Sequence, residues 1–134
     1  SHLNKAALVQ KKIIYLLIFL FSVSSFAGDR KALVIGNSHY NYITPLSNTL
    51  NDARAIGQKI GNLGFDVTLV EDINHRGFKK VIRDFVQSLN SDSEVLFYYA
   101  GHAAQYQGVN YLIPIDAKVK AEDEIEFETW YLEE

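Results

Sequence analysis

The 134-residue chain contains no cysteine and no methionine, and only two of its residues are proline. Without cysteine these residues can form no disulfide, no thiolate metal site and no thiol nucleophile. The four histidines stand singly in the sequence, outside paired spacings such as HExxH, so we predict no protein metal site. The formal net charge of −3 argues against a nucleic-acid-binding protein, because such proteins normally present a basic face.

Three common functional motifs are also missing from the sequence. The segment after the first predicted strand reads GNSHYN, which matches neither the GxGxxG fingerprint nor a Walker phosphate loop. The chain has no GxSxG elbow of the kind that carries a serine nucleophile. The third predicted strand ends in Ala-Gly-His, where a phospho-receiver domain would need an aspartate. The sequence therefore gives no support to nucleotide binding, serine hydrolysis or phosphoryl reception.

Residues 1–27 have the three parts of a secretory signal peptide. Three lysines among the first twelve residues precede the apolar run Ile13–Phe21, and a small-x-small sequence ends at Ala27. The apolar run is shorter than the roughly 20 residues that a membrane-spanning helix needs. We predict cleavage after Ala27 and a secreted or periplasmic domain. The alternative is an uncleaved N-terminal anchor, which would keep the protein at a membrane; the lack of cysteine excludes a lipoprotein anchor.

Residues 28–134 alternate between strand and helix patterns. The predicted strands and helices, in chain order, are strand 31–35, helix 49–63, strand 65–70, a helix capped by Asn74, strand 95–100 and strand 110–114. This alternation is typical of right-handed βαβ units. We predict an α/β fold, a three-layer α/β/α sandwich with a mainly parallel sheet. Because the acidic stretch 122–134 has no closing element, we expect the domain to be incomplete on its C-terminal side.

The most informative stretch is Val95–His102, an apolar run that ends in Gly-His. Such a run is typical of a central strand covered on both faces, and open α/β sheets place their chemistry beyond the carboxyl ends of these strands. His102 can donate and accept a proton near neutral pH, although a single histidine at a strand end is often structural. For Asp52, a purely structural role has even weight with a functional one, since the helix dipole favours a carboxylate in the first turn. His39 and His75 are predicted to be solvated and without partners.

Five stretches follow one another in an order that has a parallel among known proteins. They are KALVIGNSHY (31–40), LNDA (50–53), LGFDV (63–67), LFYYAGH (96–102) and NYLIPID (110–116). Together they resemble the caspase-like cysteine peptidases, in particular the metacaspase-type members of bacteria. The resemblance covers nearly all of residues 30–130 and about the first half of such a catalytic domain. The strand that bears the catalytic cysteine in this family follows the region where this sequence ends.

The resemblance implies amide hydrolysis of a peptide or protein by a Cys–His dyad. His102 matches the family's catalytic histidine, preceded by Gly101, and the backbone N–H of Ala103 matches an oxyanion-hole donor. The family usually has glycine at that last position. Alanine still offers its N–H, but it would resist a positive φ. The resemblance implies no cofactor, and it leaves any calcium requirement and the oligomeric state open.

The resemblance also bears on substrate preference. Caspases that cut after aspartate use an arginine in the loop before the first helix, and the corresponding stretch Thr44–Asn48 contains none. Metacaspases that cut after arginine or lysine use acidic pocket residues, one of which matches Asp52. A desolvated carboxylate would select a basic side chain by charge and hydrogen bonding. We therefore expect cleavage after Arg or Lys, with the family's other acidic pocket residue outside these residues.

Two other hypotheses remain open at this point. The first is a catalytically inactive pseudo-caspase that binds peptides or partner proteins, which Ala103 and the absence of cysteine both favour. The second is an unrelated α/β ligand-binding domain, which the ordered set of motifs disfavours. On any of the three hypotheses, the chain as given lacks a thiol nucleophile and is expected to be inactive alone.

Overall fold

A computed structural model describes residues 13–21, 29–106, 109–118 and 130–132, with side chains described over 29–104 and 110–118. These residues form six strands and two helices. In chain order they are β1 (Ile13–Phe21), β2 (Arg30–Gly36), α1 (Thr49–Asn62), β3 (Asp66–Glu71), α2 (His75–Gln87), β4 (Glu94–Tyr106), β5 (Val109–Leu112) and β6 (Trp130–Leu132). The predicted alternation of strands and helices is confirmed, and the domain is α/β.

The centre of the sheet is parallel. Within the described residues the strand order is β3-β2-β4-β5-β6, and β2 runs parallel to both β3 and β4. The connections from β2 to β3 and from β3 to β4 each contain a helix, as crossovers between parallel strands of one sheet usually do. The pairs β4–β5, β5–β6 and β1–β4 are antiparallel, so the sheet as a whole is mixed.

The two helices cover opposite faces of this parallel centre. Alternate residues of a strand point to opposite faces. Val34 and Tyr98 accordingly pack with Ala53 of α1, whereas Leu33 and Tyr99 pack with Phe78 of α2. The result is the three-layer arrangement predicted from the sequence, with the most deeply buried side chains on β2 and β4.

The predicted helix boundaries follow from local chemistry. The side chain of Asn74 accepts a hydrogen bond from the N–H of Gly77 at 2.7 Å, which confirms it as the N-cap of α2. Helix α1 ends one residue before Leu63, and Gly64 then adopts φ +97°. A positive φ just past a helix end is readily adopted by glycine, so the predicted stop signal is confirmed.

Strand β4 is longer than predicted. The sequence interpretation placed its end at Gly101, but the strand continues to Tyr106. The parallel partner β2 ends at Gly36, opposite Ala100, and β5 then pairs with β4 from Ala103 to Tyr106. Because a second partner takes over where the first one ends, the backbone of β4 stays hydrogen-bonded beyond the glycine.

Strand β1 occupies the apolar run of the predicted signal peptide. It lies antiparallel to β4 on the edge opposite β2, with a register from Phe21 against Val95 to Ile13 against His102. None of the helices in the described part of the chain is long and apolar enough to cross a bilayer. Processing of the chain is a separate question that this pairing does not test, so cleavage after Ala27 stays a prediction.

The buried side chain of Asn37 joins the segments that meet at the carboxyl end of the sheet. Its Oδ1 accepts the N–H of Ile73 at 2.9 Å, and its Nδ2 donates to the carbonyl of Ile113 at 3.3 Å. Its own N–H donates to the carbonyl of Ala100 at 2.8 Å, and its carbonyl accepts from Thr49 Oγ1 at 2.7 Å. One residue therefore bonds to backbone groups after β3, within β4 and after β5, and to the side-chain hydroxyl of Thr49 at the start of α1.

We expect Asn37→Ala to lower the free energy of unfolding by about 3 kcal/mol, because it leaves a buried N–H and a buried carbonyl with fewer partners and opens a cavity. Asn51→Ala is the matched control. Asn51 is exposed on α1, where alanine is the better helix former, so stability should stay within about 0.5 kcal/mol. Urea unfolding followed by far-UV circular dichroism measures both, and equal stability of the two variants would contradict this role of Asn37.

Candidate active site

The candidate site lies at the carboxyl end of the parallel strands, where the loop 37–48 leaves β2 and passes across the end of β4. Tyr98 and Ala100 of β4 belong to the core on the α1 face. By the alternation of strand side chains, His102 points to the same face, two residues further along. The first turn of α1, which contains Asp52, lies at this same end of the sheet, since Thr49 bonds the carbonyl of Asn37.

The imidazole of His102 is buried, with 5% of the residue exposed, and its two nitrogens have different surroundings. Nε2 lies 2.7 Å from the carbonyl oxygen of Thr44. A carbonyl oxygen can only accept, so Nε2 carries the proton and donates it. Nδ1 is buried and has no hydrogen-bond partner among the described residues. The hydrogen bond to Thr44 thus assigns the tautomer and leaves the lone pair of Nδ1 available to take a proton.

Two tyrosine hydroxyls hold the backbone of His102. Its N–H donates to Tyr40 Oη at 2.9 Å, and its carbonyl accepts from Tyr99 Oη at 2.7 Å. The same carbonyl accepts the N–H of Ile113 at 3.1 Å. The ring of Tyr40 also stands edge-on to the imidazole, with ring centres 4.7 Å apart and planes at 64°. The histidine is therefore fixed through both its main chain and its side chain.

Gly101 is required for space. Its φ is not positive, so its conformation alone would admit other residues. A Cβ at this position, however, would lie 2.5 Å from Tyr99 Oη and 2.8 Å from Tyr40 Oη, closer than non-bonded atoms allow. The predicted site residue Gly101 thus serves the site by letting both hydroxyls approach the strand beside His102.

Ala103 offers its N–H on the side of β4 away from β5. The carbonyl of His102 bonds to Ile113, and neighbouring positions in an antiparallel pair alternate in direction, so the N–H of Ala103 points the other way. Its φ is not positive. Alanine therefore fits this position without the strain that the sequence analysis considered. Its role as an oxyanion donor stays a prediction.

Asp52 lies in the first turn of α1 and is half-buried. Its carboxylate forms no ion pair with another residue in the described part of the chain. Burial, together with the nearby negative charge of Asp52, raises the pKa of Tyr98, which packs with Ala53 on the α1 face of β4. Asp52 and His102 therefore share one face and one end of the sheet.

His39 is solvent-exposed as predicted, but the prediction that it has no partner is wrong, and so is the prediction that His75 is solvated. His39 Nδ1 lies 2.7 Å from Asp72 Oδ2, so His39 has a partner even though its ring is exposed. Burial alone would raise the pKa of Asp72, but the backbone N–H groups of His39 and Ser38, with the His39 ring, hold it below the usual value. His75 is half-buried at the start of α2, where its N–H donates to Asp116 Oδ1 at 3.0 Å.

Two residues of the site, Thr44 and Tyr99, were missed by sequence reasoning, which left open whether Tyr40 lies at the rim of the site or in the core. Thr44 acts through its backbone carbonyl, which any residue type could provide, so the sequence carries no signal for it. The hydroxyl of Tyr40 bonds residues more than 60 positions away, which no local pattern reveals. Tyr99 bonds the carbonyl of His102 only three residues away, but the apolar strand pattern does not mark its hydroxyl as part of the site. Among the described residues, no three histidine, aspartate or glutamate side chains come close enough together to hold a metal ion.

Comparison with known proteins shows the family of this chain. The caspase domain, as a family profile, matches residues 29–129. The chain is also 30% identical over 91 residues, or 68% of its length, to the human mucosa-associated lymphoid tissue lymphoma translocation protein 1 and equally to its mouse homolog. It spans about a tenth, 11%, of the length of these relatives. With β2 to β5 and His102 inside the matched region, the chain belongs to the caspase domain family.

Proposed function

We propose that this domain carries the histidine half of a cysteine endopeptidase active site. The observation that supports the proposal most directly is the buried imidazole of His102, whose Nε2 is bound to Thr44 while Nδ1 stays unpartnered among the described residues. A neutral histidine held in one tautomer, with one free basic nitrogen, suits proton transfer. Because the chain contains no cysteine, the thiol would come from a part of the full-length protein outside these 134 residues.

In the proposed reaction, Nδ1 of His102 accepts the thiol proton and the thiolate attacks the scissile carbonyl carbon. The carbonyl oxygen becomes an oxyanion, towards which the N–H of Ala103 would donate. The imidazolium then returns its proton to the departing amine, and an acyl-enzyme remains. Water attacks the acyl carbon while Nδ1 takes one of its protons. Collapse of this second intermediate releases the acid product and expels the thiolate, which recovers its proton.

The carbonyl of Thr44 supports each of these steps. Nε2 keeps its proton in the neutral and in the charged imidazole, so the 2.7 Å hydrogen bond persists throughout the cycle. Proton movement is thereby confined to Nδ1. When the imidazolium forms, the carbonyl dipole also stabilises its positive charge in a buried setting.

Asp52 supports a preference for arginine or lysine on the amino side of the cleaved bond. Its carboxylate is half-buried and lacks an ion-pair partner in the described part of the chain, on the same sheet face as His102. A basic side chain entering there would gain a charge-assisted hydrogen bond. The loop 44–48 contains no arginine that would attract an acidic side chain instead. Peptides or proteins with basic residues are therefore the proposed substrates.

One of the two arguments for an inactive, peptide-binding pseudo-caspase no longer holds. The substitution of alanine after His102 is compatible with the strand conformation observed at Ala103. The absence of cysteine remains, but a nucleophile from another part of the protein explains it equally well. The tautomer fixed by Thr44, with Nδ1 of His102 unpartnered among the described residues, favours the active enzyme.

We also propose that residues 1–27 are a cleaved secretory leader and that the domain works outside the cytoplasm. The lysines, the apolar run and the small-x-small end support this proposal. Cleavage would remove β1 from the edge of β4. N-terminal sequencing of the protein secreted by its native host should begin at Gly28, whereas a protein that retains residues 1–27 in the membrane fraction would contradict the proposal.

The first test of the enzyme replaces the proposed base. In the full-length protein, His102→Ala should reduce kcat/KM for fluorogenic arginyl peptides by about 10³-fold, since no other group can move the protons. His39→Ala is the matched control and should keep activity within a fewfold of wild type. Circular dichroism checks that both variants fold. Wild-type activity in His102→Ala would contradict the assignment.

The second test concerns specificity. Asp52→Asn should lower kcat/KM for arginyl and lysyl peptides about tenfold or more, because a neutral amide loses the charge attraction. Asp66→Asn, at the opposite end of the sheet with a side chain 77% exposed, is the control and should leave these constants unchanged. A wild-type enzyme that prefers aspartyl peptides would overturn the proposed specificity.

A further inference from the structure

Tyr40 and Thr44 belong to the same loop and contact opposite parts of His102. Thr44 accepts from the imidazole Nε2 at 2.7 Å, and Tyr40 accepts from the backbone N–H at 2.9 Å. The loop therefore contacts both the ring and the main chain of His102. With both contacts, the position of the imidazole relative to its own backbone and to the loop is set.

The hydroxyl protons can be assigned by counting donors and acceptors. Tyr99 has one proton and lies 2.7 Å from the carbonyl of His102 but 3.2 Å from that of Ile113, so it donates to His102. Tyr40 then donates to Ile113 at 3.0 Å and uses a lone pair to accept the N–H of His102. Each hydroxyl has one role that the other cannot replace, because a tyrosine has a single proton to give.

These hydroxyls stay protonated over the working range of a histidine. Burial raises the pKa of Tyr40 to about 12, and burial also raises the pKa of Tyr99 well above its usual value. Tyr40 is 5% exposed and Tyr99 is fully buried. Both phenols therefore remain neutral donors near neutral pH, and the contacts with His102 do not themselves titrate there.

The space for both hydroxyls exists only because residue 101 is glycine. The two oxygens lie 2.5 Å and 2.8 Å from where a Cβ of Gly101 would be. The glycine, the two tyrosines and His102 thus form one interlocked group. The histidine assignment made on the sequence accounts for His102 and Gly101, but it gives no role to either tyrosine.

We propose that Tyr40 is a positioning residue for His102, with Tyr99 as its counterpart on the carbonyl side. Through the backbone N–H and the edge-on ring contact, Tyr40 holds the imidazole where Nε2 reaches Thr44 and Nδ1 keeps no hydrogen-bond partner among the described residues. This inference rests on the proposed peptidase function. Tyr40 itself touches neither the substrate nor the reacting atoms.

Tyr40→Phe in the full-length protein tests the role of the hydroxyl, since it keeps the ring and its contact with the imidazole. We expect kcat for an arginyl peptide to fall about tenfold, with KM within twofold, because alignment of the base is lost while the substrate contacts remain. Tyr42→Phe, in the same loop with an exposed side chain, should change neither constant. Ile60→Val, a core substitution in α1, controls for lower stability and should leave kcat unchanged at 25 °C.

A second measurement reports on the contact directly. Hydrogen exchange of the His102 amide should be slow in the wild type and at least tenfold faster in Tyr40→Phe, and imidazole ¹⁵N shifts should show the Nε2-protonated tautomer only in the wild type. Wild-type kcat in Tyr40→Phe, or a loss no larger than that of Ile60→Val, would overturn the inference. If the wild type cleaves no peptide, the proposed function fails. The exchange and ¹⁵N data would then decide the positioning role alone, and unchanged values in Tyr40→Phe would refute it.

Discussion

The fold depends on the side chain of Asn37, a polar group placed where the sheet can no longer satisfy its own backbone. At the carboxyl end of a parallel sheet, consecutive strands leave in different directions, and their last N–H and carbonyl groups lose their ladder partners. Asn37 supplies one donor and one acceptor from its amide and a further pair from its main chain. The segments that follow β3 and β5 are thereby held against β4 at Ala100.

The site uses the same small set of backbone atoms. The carbonyl of Ile113 accepts hydrogen bonds from Asn37 Nδ2 and Tyr40 Oη. The N–H of Ile113 donates to the carbonyl of His102. The hydrogen bonds that close the fold therefore also orient the histidine. Because these hydrogen bonds share donors and acceptors, the loss of one group also changes the surroundings of the others.

The sequence allowed the architecture to be predicted because its signals are local. Each signal is contained in a short stretch of sequence: the helical spacing of α1, the cap at Asn74, the stop at Gly64 and the apolar run of β4. His102 could be placed at the carboxyl edge for the same reason. The true end of β4 could not be predicted, because the pairing with β5 determines it. The partner of His39 lies 33 positions away, and Thr44 contributes a carbonyl that its residue type does not reveal.

The pairing of β1 with β4 has a consequence for the biogenesis of the protein. If residues 1–27 direct export, the apolar segment that the translocation machinery must bind is the one that hydrogen-bonds along a central strand of the sheet. If the sheet folded before transport, this targeting segment would already be paired within the folded domain and could not bind the translocation machinery. Export would then require the translocation machinery to bind the nascent chain before the sheet folds. Slow folding of the precursor would therefore favour correct localisation.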